Sequence, residues 1–195
     1  MKVCLIGDSG VGKTCMSNSI IGNSFNQFSS TTIGALYLCK DYQSALDNKL
    51  SIWDTAGQER YRSLIPMYAR CSNVLILVVC KEKYNWQESV SYWIDYYFKF
   101  ATIDSKLLVI FSKVDKEDNK PNADDLKLIN EILDQNSIEA NILLHSSLTG
   151  SGLDIIHQEL FKLSLKIRDS QVEKNIIKQT IKITNTPSKE CCIIV

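Results

Sequence analysis

The sequence is poor in the residues that build metal centres and disulfide scaffolds. It has two histidines and no C-x-x-C pair, so no zinc site is expected. Its seven cysteines are an odd set: Cys4, Cys15, Cys39, Cys71 and Cys80 are scattered, mostly in apolar surroundings, and Cys191 and Cys192 stand together. That distribution is no disulfide framework and indicates a reducing compartment. Net charge is also missing, because 22 basic residues offset 22 acidic ones. Without a basic field no nucleic-acid partner is expected, and no block of like charge marks an interaction tail. No apolar run reaches the length of a membrane span. The run that follows Lys2 is too short for the hydrophobic region of a signal peptide, so none is expected. Repeats and low-complexity tracts are lacking. A chain of 195 residues is then expected to be one domain with a sizeable core.

Within it, short β-rich apolar runs recur at Lys2–Ile6, Leu36–Tyr42, Lys49–Asp54, Val74–Cys80, Leu107–Phe111 and Asn141–Leu144. Most alternate with helix-like segments at Lys13–Gly22, Trp86–Phe100, Asp124–Asp134 and Leu153–Arg168. Continuous apolar strands separated by helices predict a parallel sheet covered on both faces. Leu36–Tyr42 and Lys49–Asp54 are the exception, since the connection through Asp47-Asn48 is short enough for an antiparallel hairpin. The expected fold is a three-layer α/β domain. It has a mostly parallel six-stranded sheet with one antiparallel edge strand, about five helices, and ligands at the carboxyl ends of the strands. Trp86, Val90, Trp93 and Tyr97 recur at helical spacing and are read as a core-facing stripe.

Gly7-Asp8-Ser9-Gly10-Val11-Gly12-Lys13-Thr14 reads G-x-x-x-x-G-K-T between a buried strand and a helix start. Glycines let the backbone curl so that its N–H groups point inward at phosphate oxygens. Lys13 adds a point charge for the β- and γ-phosphates, and Thr14 offers a hydroxyl to Mg²⁺. The helix aims its positive end at the same anions. Nucleotide contacts are expected from Ser9, Gly10, Val11, Gly12, Lys13, Thr14 and Cys15, and the fold is expected to be that of a P-loop NTPase.

Trp53-Asp54-Thr55-Ala56-Gly57-Gln58-Glu59-Arg60 follows another strand. An Asp at such a strand end can hold Mg²⁺, often through water. Gly57 can offer its N–H to a γ-phosphate, and Gln58 can orient a water. In Phe111-Ser112-Lys113-Val114-Asp115, an ionised Asp115 can accept from two N–H groups at once, a donor pair that guanine has and adenine lacks. A buried carboxylate left unpaired is costly, so such a site selects strongly. The aliphatic stem of Lys113 can lie along the base.

Taken together these motifs resemble those of the Ras-superfamily small GTPases, and most closely the Rab branch. The resemblance runs from Lys2 to about Arg168, and the stretch from Lys49 to Tyr61 is similar to the Rab interswitch and second switch. It implies a switch that binds GTP and GDP with Mg²⁺ held through Thr14, Thr32 and Asp54. Thr32 would sense the γ-phosphate, Phe25 would stack edge-on over guanine, and Ser146-Ser147-Leu148 would contact the guanine oxygen through its middle N–H. Ile33, Tyr37, Trp53 and Tyr68 would face effectors. Gln58 would be the catalytic residue of slow GTP hydrolysis. The implied partners are an exchange factor, a GTPase-activating protein, an escort or dissociation inhibitor, effectors and a membrane, with the chain itself a monomer. The implied location is the cytoplasmic side of intracellular membranes, with a cytosolic pool.

Four positions depart from the Rab pattern. Ser112 stands where most relatives have Asn, and the shorter side chain is expected not to span the gap to the phosphate loop, so that nucleotide is held less tightly. Leu148 replaces a frequent Lys. Ala35-Leu36-Tyr37 replaces the usual acidic-aromatic end of the first switch. Leu77-Val78-Val79-Cys80-Lys81 lacks a common Asp. A hydroxylated residue before Lys-x-Asp and a Leu like Leu148 also occur in Rho relatives, but Lys116 to Asp125 leaves no room for the extra Rho helix. A Rho- or Ras-like signalling GTPase and a nucleotide-binding scaffold with little turnover remain alternatives. A P-loop kinase or ATPase is opposed by Asp115 and the Asp54–Gln58 motif. His145 has no nucleophile or carboxylate in its motif and is read as structural.

The expected division is a G domain at 1–168 and a flexible tail at 169–195. The tail becomes polar, and Asn185-Thr186-Pro187-Ser188 reads as a linker. Two readings of Ile176, Ile177, Ile181 and Ile183 stay open: docking on a partner, or an extension of the last helix. Cys192-Ile193-Ile194-Val195 fits C-a-a-X, and the Cys191-Cys192 pair resembles Rab termini, so both cysteines are expected to carry prenyl groups.

Overall fold

The computed structural model describes residues 1–42, 48–102 and 104–184, with backbone only at 42, 48 and 171–184. Asp47 of the hairpin connection, the linker at 185–188, and the Cys191-Cys192 pair lie outside the described residues.

Six strands form one sheet. They are β1 (Lys2–Ile6), β2 (Ala35–Tyr42), β3 (Asn48–Thr55), β4 (Val74–Val79), β5 (Lys106–Ser112) and β6 (Ala140–His145), in the spatial order β2-β3-β1-β4-β5-β6. All neighbours are parallel except β2 and β3, which pair antiparallel with Tyr37 opposite Trp53. The single antiparallel edge strand is therefore where the short connection placed it. The helices are α1 (Lys13–Ile21), α2 (Ile65–Ala69), α3 (Trp86–Phe100), α4 (Ala123–Gln135) and α5 (Leu153–Thr184).

Side-chain alternation along buried strands builds two cores. From β1, Cys4 and Ile6 enter one core while Val3 and Leu5 enter the other. In β5, Leu107, Val109 and Phe111 separate in the same way from Leu108 and Ile110. The first core takes Trp86, Val90 and Trp93 of α3 and Ile129 and Leu133 of α4. The second takes Met16 and Ile20 of α1 and Ile156, Leu160 and Leu163 of α5. The aromatic stripe of α3 is thus core: Trp93 is fully buried, and Tyr97 packs partly buried beside it.

Two elements differ from the expectation. Residues Glu59–Leu64 form a 3₁₀ turn that leads into the five-residue α2. That stretch is too short to show helical periodicity, and its Pro66 sits in the first turn, where a missing N–H is harmless. The last helix passes Arg168 and runs to Thr184, the extension reading of the tail. No glycine or proline interrupts the sequence from Leu153 until Pro187, so polarity alone does not end the helix.

Candidate functional site: a phosphate and base cleft at the strand ends

Parallel strands bring their carboxyl ends to one edge of the sheet, and there a cleft of about 490 Å³ opens. After β1 the chain turns through Gly7 to Gly12. Gly12 takes φ 98°, a left-handed conformation open to glycine, and caps α1. Lys13 opens that helix almost wholly buried, and its ammonium donates to the Gly7 carbonyl at 2.8 Å and the Asp8 carbonyl at 2.7 Å. Burial pulls its pKa down to about 8, against the opposing pull of Asp54 and Asp8 and with a further push from Lys83. The backbone of Gly57 lies close against the loop. A Cβ there would fall on the Lys13 ammonium and within 2.5 Å of the Asp8 carbonyl.

Strand β3 runs beside β1 with Leu5 opposite Asp54. Asp54 is buried, and its Oδ2 accepts from Thr14 Oγ1 at 2.7 Å and from Thr32 Oγ1 at 3.3 Å. The two hydroxyls lie 2.8 Å apart. The other carboxylate oxygen, Oδ1, is buried without a partner. Burial raises the Asp54 pKa, opposed by the Thr14 bond, the Lys13 charge and the Thr32 bond. Two hydroxyls and a carboxylate with a spare oxygen form a hard-oxygen donor set that suits Mg²⁺ completed by phosphate and water. Among the described residues no group of three or more His, Cys, Asp or Glu side chains offers another metal site.

At the far end of the cleft, β5 ends in Ser112 and β6 in His145, which are neighbours in register. The Ser112 hydroxyl is 2.5 Å from the Val11 carbonyl and 3.0 Å from the Val79 carbonyl. This corrects the expectation that serine is too short to span to the phosphate loop. The loop's own carbonyl lies against the end of β5, so one hydroxyl bridges them. Asp115 is exposed, and its Oδ1 accepts from buried Ser146 at 2.5 Å. Lys113 adopts φ 57° and pairs with Glu82 at 3.0 Å. His145 is buried and joins the Ser151 carbonyl at 2.9 Å and Ser147 Oγ at 3.1 Å. Burial lowers its pKa, opposed by the bond to Ser151. A neutral ring that donates to one partner and accepts from the other fits a structural brace for the 146–151 loop.

The cleft brings together Ser9, Gly10, Gly12, Lys13, Thr14, Cys15, Phe25, Thr32, Gly57, Ser112, Lys113, Asp115, Ser147 and Leu148. Four expected residues stand behind or beside its walls: buried Val11 and Ser146, Asp54 beneath the two threonines, and Gln58. The Gln58 amide oxygen accepts from Arg60 at 2.8 Å. Gln27, Ser29, Ser30, Thr31, Thr55 and Lys116 also line the cleft and were not foreseen. The hydroxyl run Ser29-Ser30-Thr31 directly before Thr32 was the available clue. On the outer face Trp53 stands between Tyr37 and Tyr68, 5.2 Å from each ring centre. Ile33, four residues before Tyr37, is 78% exposed.

A phosphate-cradling loop, a strand-end carboxylate under two hydroxyls and a separate base end, on a sheet of this order, define a G domain of the P-loop class. A family model described as "Ras of Complex, Roc, domain of DAPkinase" matches residues 2–115. The chain is 36% identical over 164 residues to the ras-related protein Rab-5B of Dictyostelium discoideum, covering 82% of this chain and 71% of that protein. It is 30% identical over 179 residues to SEC4 of Candida albicans, covering 90% and 81%. Against Rab-1 of Theileria parva it is 32% identical over 193 residues, covering 96% and 84%. The chain belongs to the Rab family of Ras-related GTPases, and the Rho-like alternative is not favoured.

Proposed function

We propose that the chain is a GTP-timed switch that recruits effectors to a membrane in vesicle trafficking. The observation that carries this reading is the convergence of Thr14 and Thr32 on Asp54, beside Lys13, with one Asp54 oxygen buried and unpartnered. Thr14 belongs to the phosphate loop and Thr32 to the first switch, so a ligand shared by both ties the switch to the nucleotide. Mg²⁺ held by Thr14, Thr32 and Asp54 would neutralise charge on the phosphates. Thr32 and Gly57 would read the γ-phosphate, and its loss on hydrolysis would release both switches. The Gly34 carbonyl accepts from the Ala56 N–H at 2.8 Å and already joins the two.

Gln58 would turn from Arg60 to orient the attacking water. Among the described residues no arginine lines the cleft, so intrinsic hydrolysis would be slow. A partner's arginine would raise it by roughly 10³–10⁵. Release of GDP would depend on an exchange factor. Tyr37, Trp53, Tyr68 and Ile33 would form the effector surface, and an escort protein would maintain a cytosolic pool of monomer. Prenyl groups on Cys191 and Cys192 would hold the chain at the cytoplasmic side of intracellular membranes, with 1–168 as the G domain and 169–195 as the tether.

The test is to identify the nucleotide that copurifies and time its hydrolysis. GDP or GTP is expected, with ATP a poor competitor. Asp115→Asn should shift preference toward xanthine nucleotides, because the carboxylate accepts what guanine donates at N1 and N2. Equal competition by ATP and GTP against labelled GDP rejects the guanine reading. Tight GTP binding with no turnover, even with an activating protein, favours the scaffold.

A further inference from the structure

The turn between β4 and α3 carries three consecutive charges, Lys81, Glu82 and Lys83, and the first two are engaged: Lys81 pairs with Asp125 at 2.5 Å. Glu82 accepts from Lys116 and, at 3.0 Å, from Lys113. Those two bonds hold its carboxyl down at about 2. Asp8, the acid inside the phosphate loop, is engaged as well: it accepts from Ser89 at 2.5 Å and Trp93 at 3.1 Å and meets Arg62 at 3.5 Å. Among the described residues Lys83 forms no ion pair with either acid. Its backbone is fixed, since its N–H donates to the Cys80 carbonyl and its carbonyl accepts from the Trp86 N–H, each at 3.2 Å. From that anchor the stem leads the ammonium to the phosphate loop. A Cβ on Gly10 would lie 3.2 Å from Lys83 Nζ and 3.7 Å from Cε.

Lys83 is exposed, so water satisfies its charge and the lack of a partner costs it little. Its place is the informative part. Gly10 lines the cleft, and Lys13, whose ammonium is within electrostatic reach of Lys83, sits at the heart of the same loop. Two like charges brought to one glycine loop repel each other until an anion lies between them. A flexible stem with three donors at its tip can close over a phosphate from the rim, which the buried Lys13 cannot do.

We propose that Lys83 is a phosphate-binding residue from outside the loop motif, folding over Gly10 onto the di- or triphosphate of the bound nucleotide. This rests on the guanine-nucleotide reading of the cleft. The experiment measures release of fluorescent GDP and of a non-hydrolysable GTP analogue, and GMP competition, for wild type, Lys83→Gln and Lys83→Arg at low and high salt. Lys83→Gln should speed release of GDP and the GTP analogue about three- to tenfold at low salt. The gap should narrow at high salt, Lys83→Arg should stay near wild type, and GMP binding should change little. Wild-type release from Lys83→Gln, or an equal effect on GMP, overturns the proposal while leaving the cleft's reading intact. A wild-type protein that binds no guanine nucleotide overturns both.

Discussion

The Ser112 hydroxyl has one proton and two carbonyls within reach, Val11 and Val79. One belongs to the phosphate loop and the other to β4, so the side chain pins the loop to the sheet. Ser112 is 3% exposed, and no water replaces it at low cost. Ser112→Ala should lose about 0.5–1.5 kcal/mol of this restraint. Faster GDP release, by about three- to tenfold, is expected in a stopped-flow displacement assay; unchanged release would show that the loop is held without it. This role was not legible in the sequence. A motif comparison weighs side-chain lengths across a fixed gap, and here backbone approach closes the gap.

Lys13 gives the second prediction at this scale. Its pKa of about 8 follows first from burial. A lysine lowered in this way carries its charge below that pH and loses it above. Phosphate binding needs the charge, so affinity is full well below pH 8, is halved at about pH 8, and falls by about a further fivefold between pH 8 and 9. Equilibrium GDP titrations across that window check this. A flat profile would mean that the free protein keeps Lys13 charged.

Among the elements, the strands and long helices were readable because their apolar periods are strong and their cores are dry. The 3₁₀ turn and α2 were not, because tertiary contacts hold them in place of local propensity. Arg62 shows this. Its guanidinium lies 4.8 Å from the Tyr92 ring centre and 5.8 Å from that of Trp93, while its NH2 meets Asp8 at 3.5 Å. Tyr96 donates to the Arg62 carbonyl at 3.3 Å. The segment from Glu59 to Ala69 is thereby laid against α3 and the phosphate loop at once, by residues far apart in sequence. Arg62 is partly exposed, so its cation–π contact is worth about 1 kcal/mol. Arg62→Ala should keep the fold, lower Tm by about 2–4 °C, and speed amide exchange most in the segment from Glu59 to Ala69. Exchange that quickens evenly over the chain, or not at all, would show that Arg62 is no anchor for the switch.

At the scale of the molecule, the described residues gather the cleft's chemistry at one edge of the sheet. Parallel pairing puts the ends of β1, β3, β5 and β6 around one cleft, which is why motifs scattered from Gly7 to Leu148 become one site. Among the described residues no helix is long and apolar enough to cross a membrane. On the proposed reading, lipid on the segment after Thr184 would carry the chain to a membrane. A single lipid chain anchors only marginally, each buried CH₂ contributing about 0.8 kcal/mol, and stable attachment needs a second signal. The tail's Lys174, Lys178, Lys182 and Lys189 are diluted by Asp169, Glu173 and Glu190, so basic attraction to anionic lipid is weak. On the proposed reading the second signal would be a second lipid, for which the sequence offers the adjacent Cys191 and Cys192. Intact mass of protein isolated from cells should show two prenyl groups. Cys191→Ser should leave a marginally bound protein, and the double serine variant should leave the membrane fraction. A native protein that carries one prenyl group on Cys192 and stays on membranes would show that another signal completes the anchor.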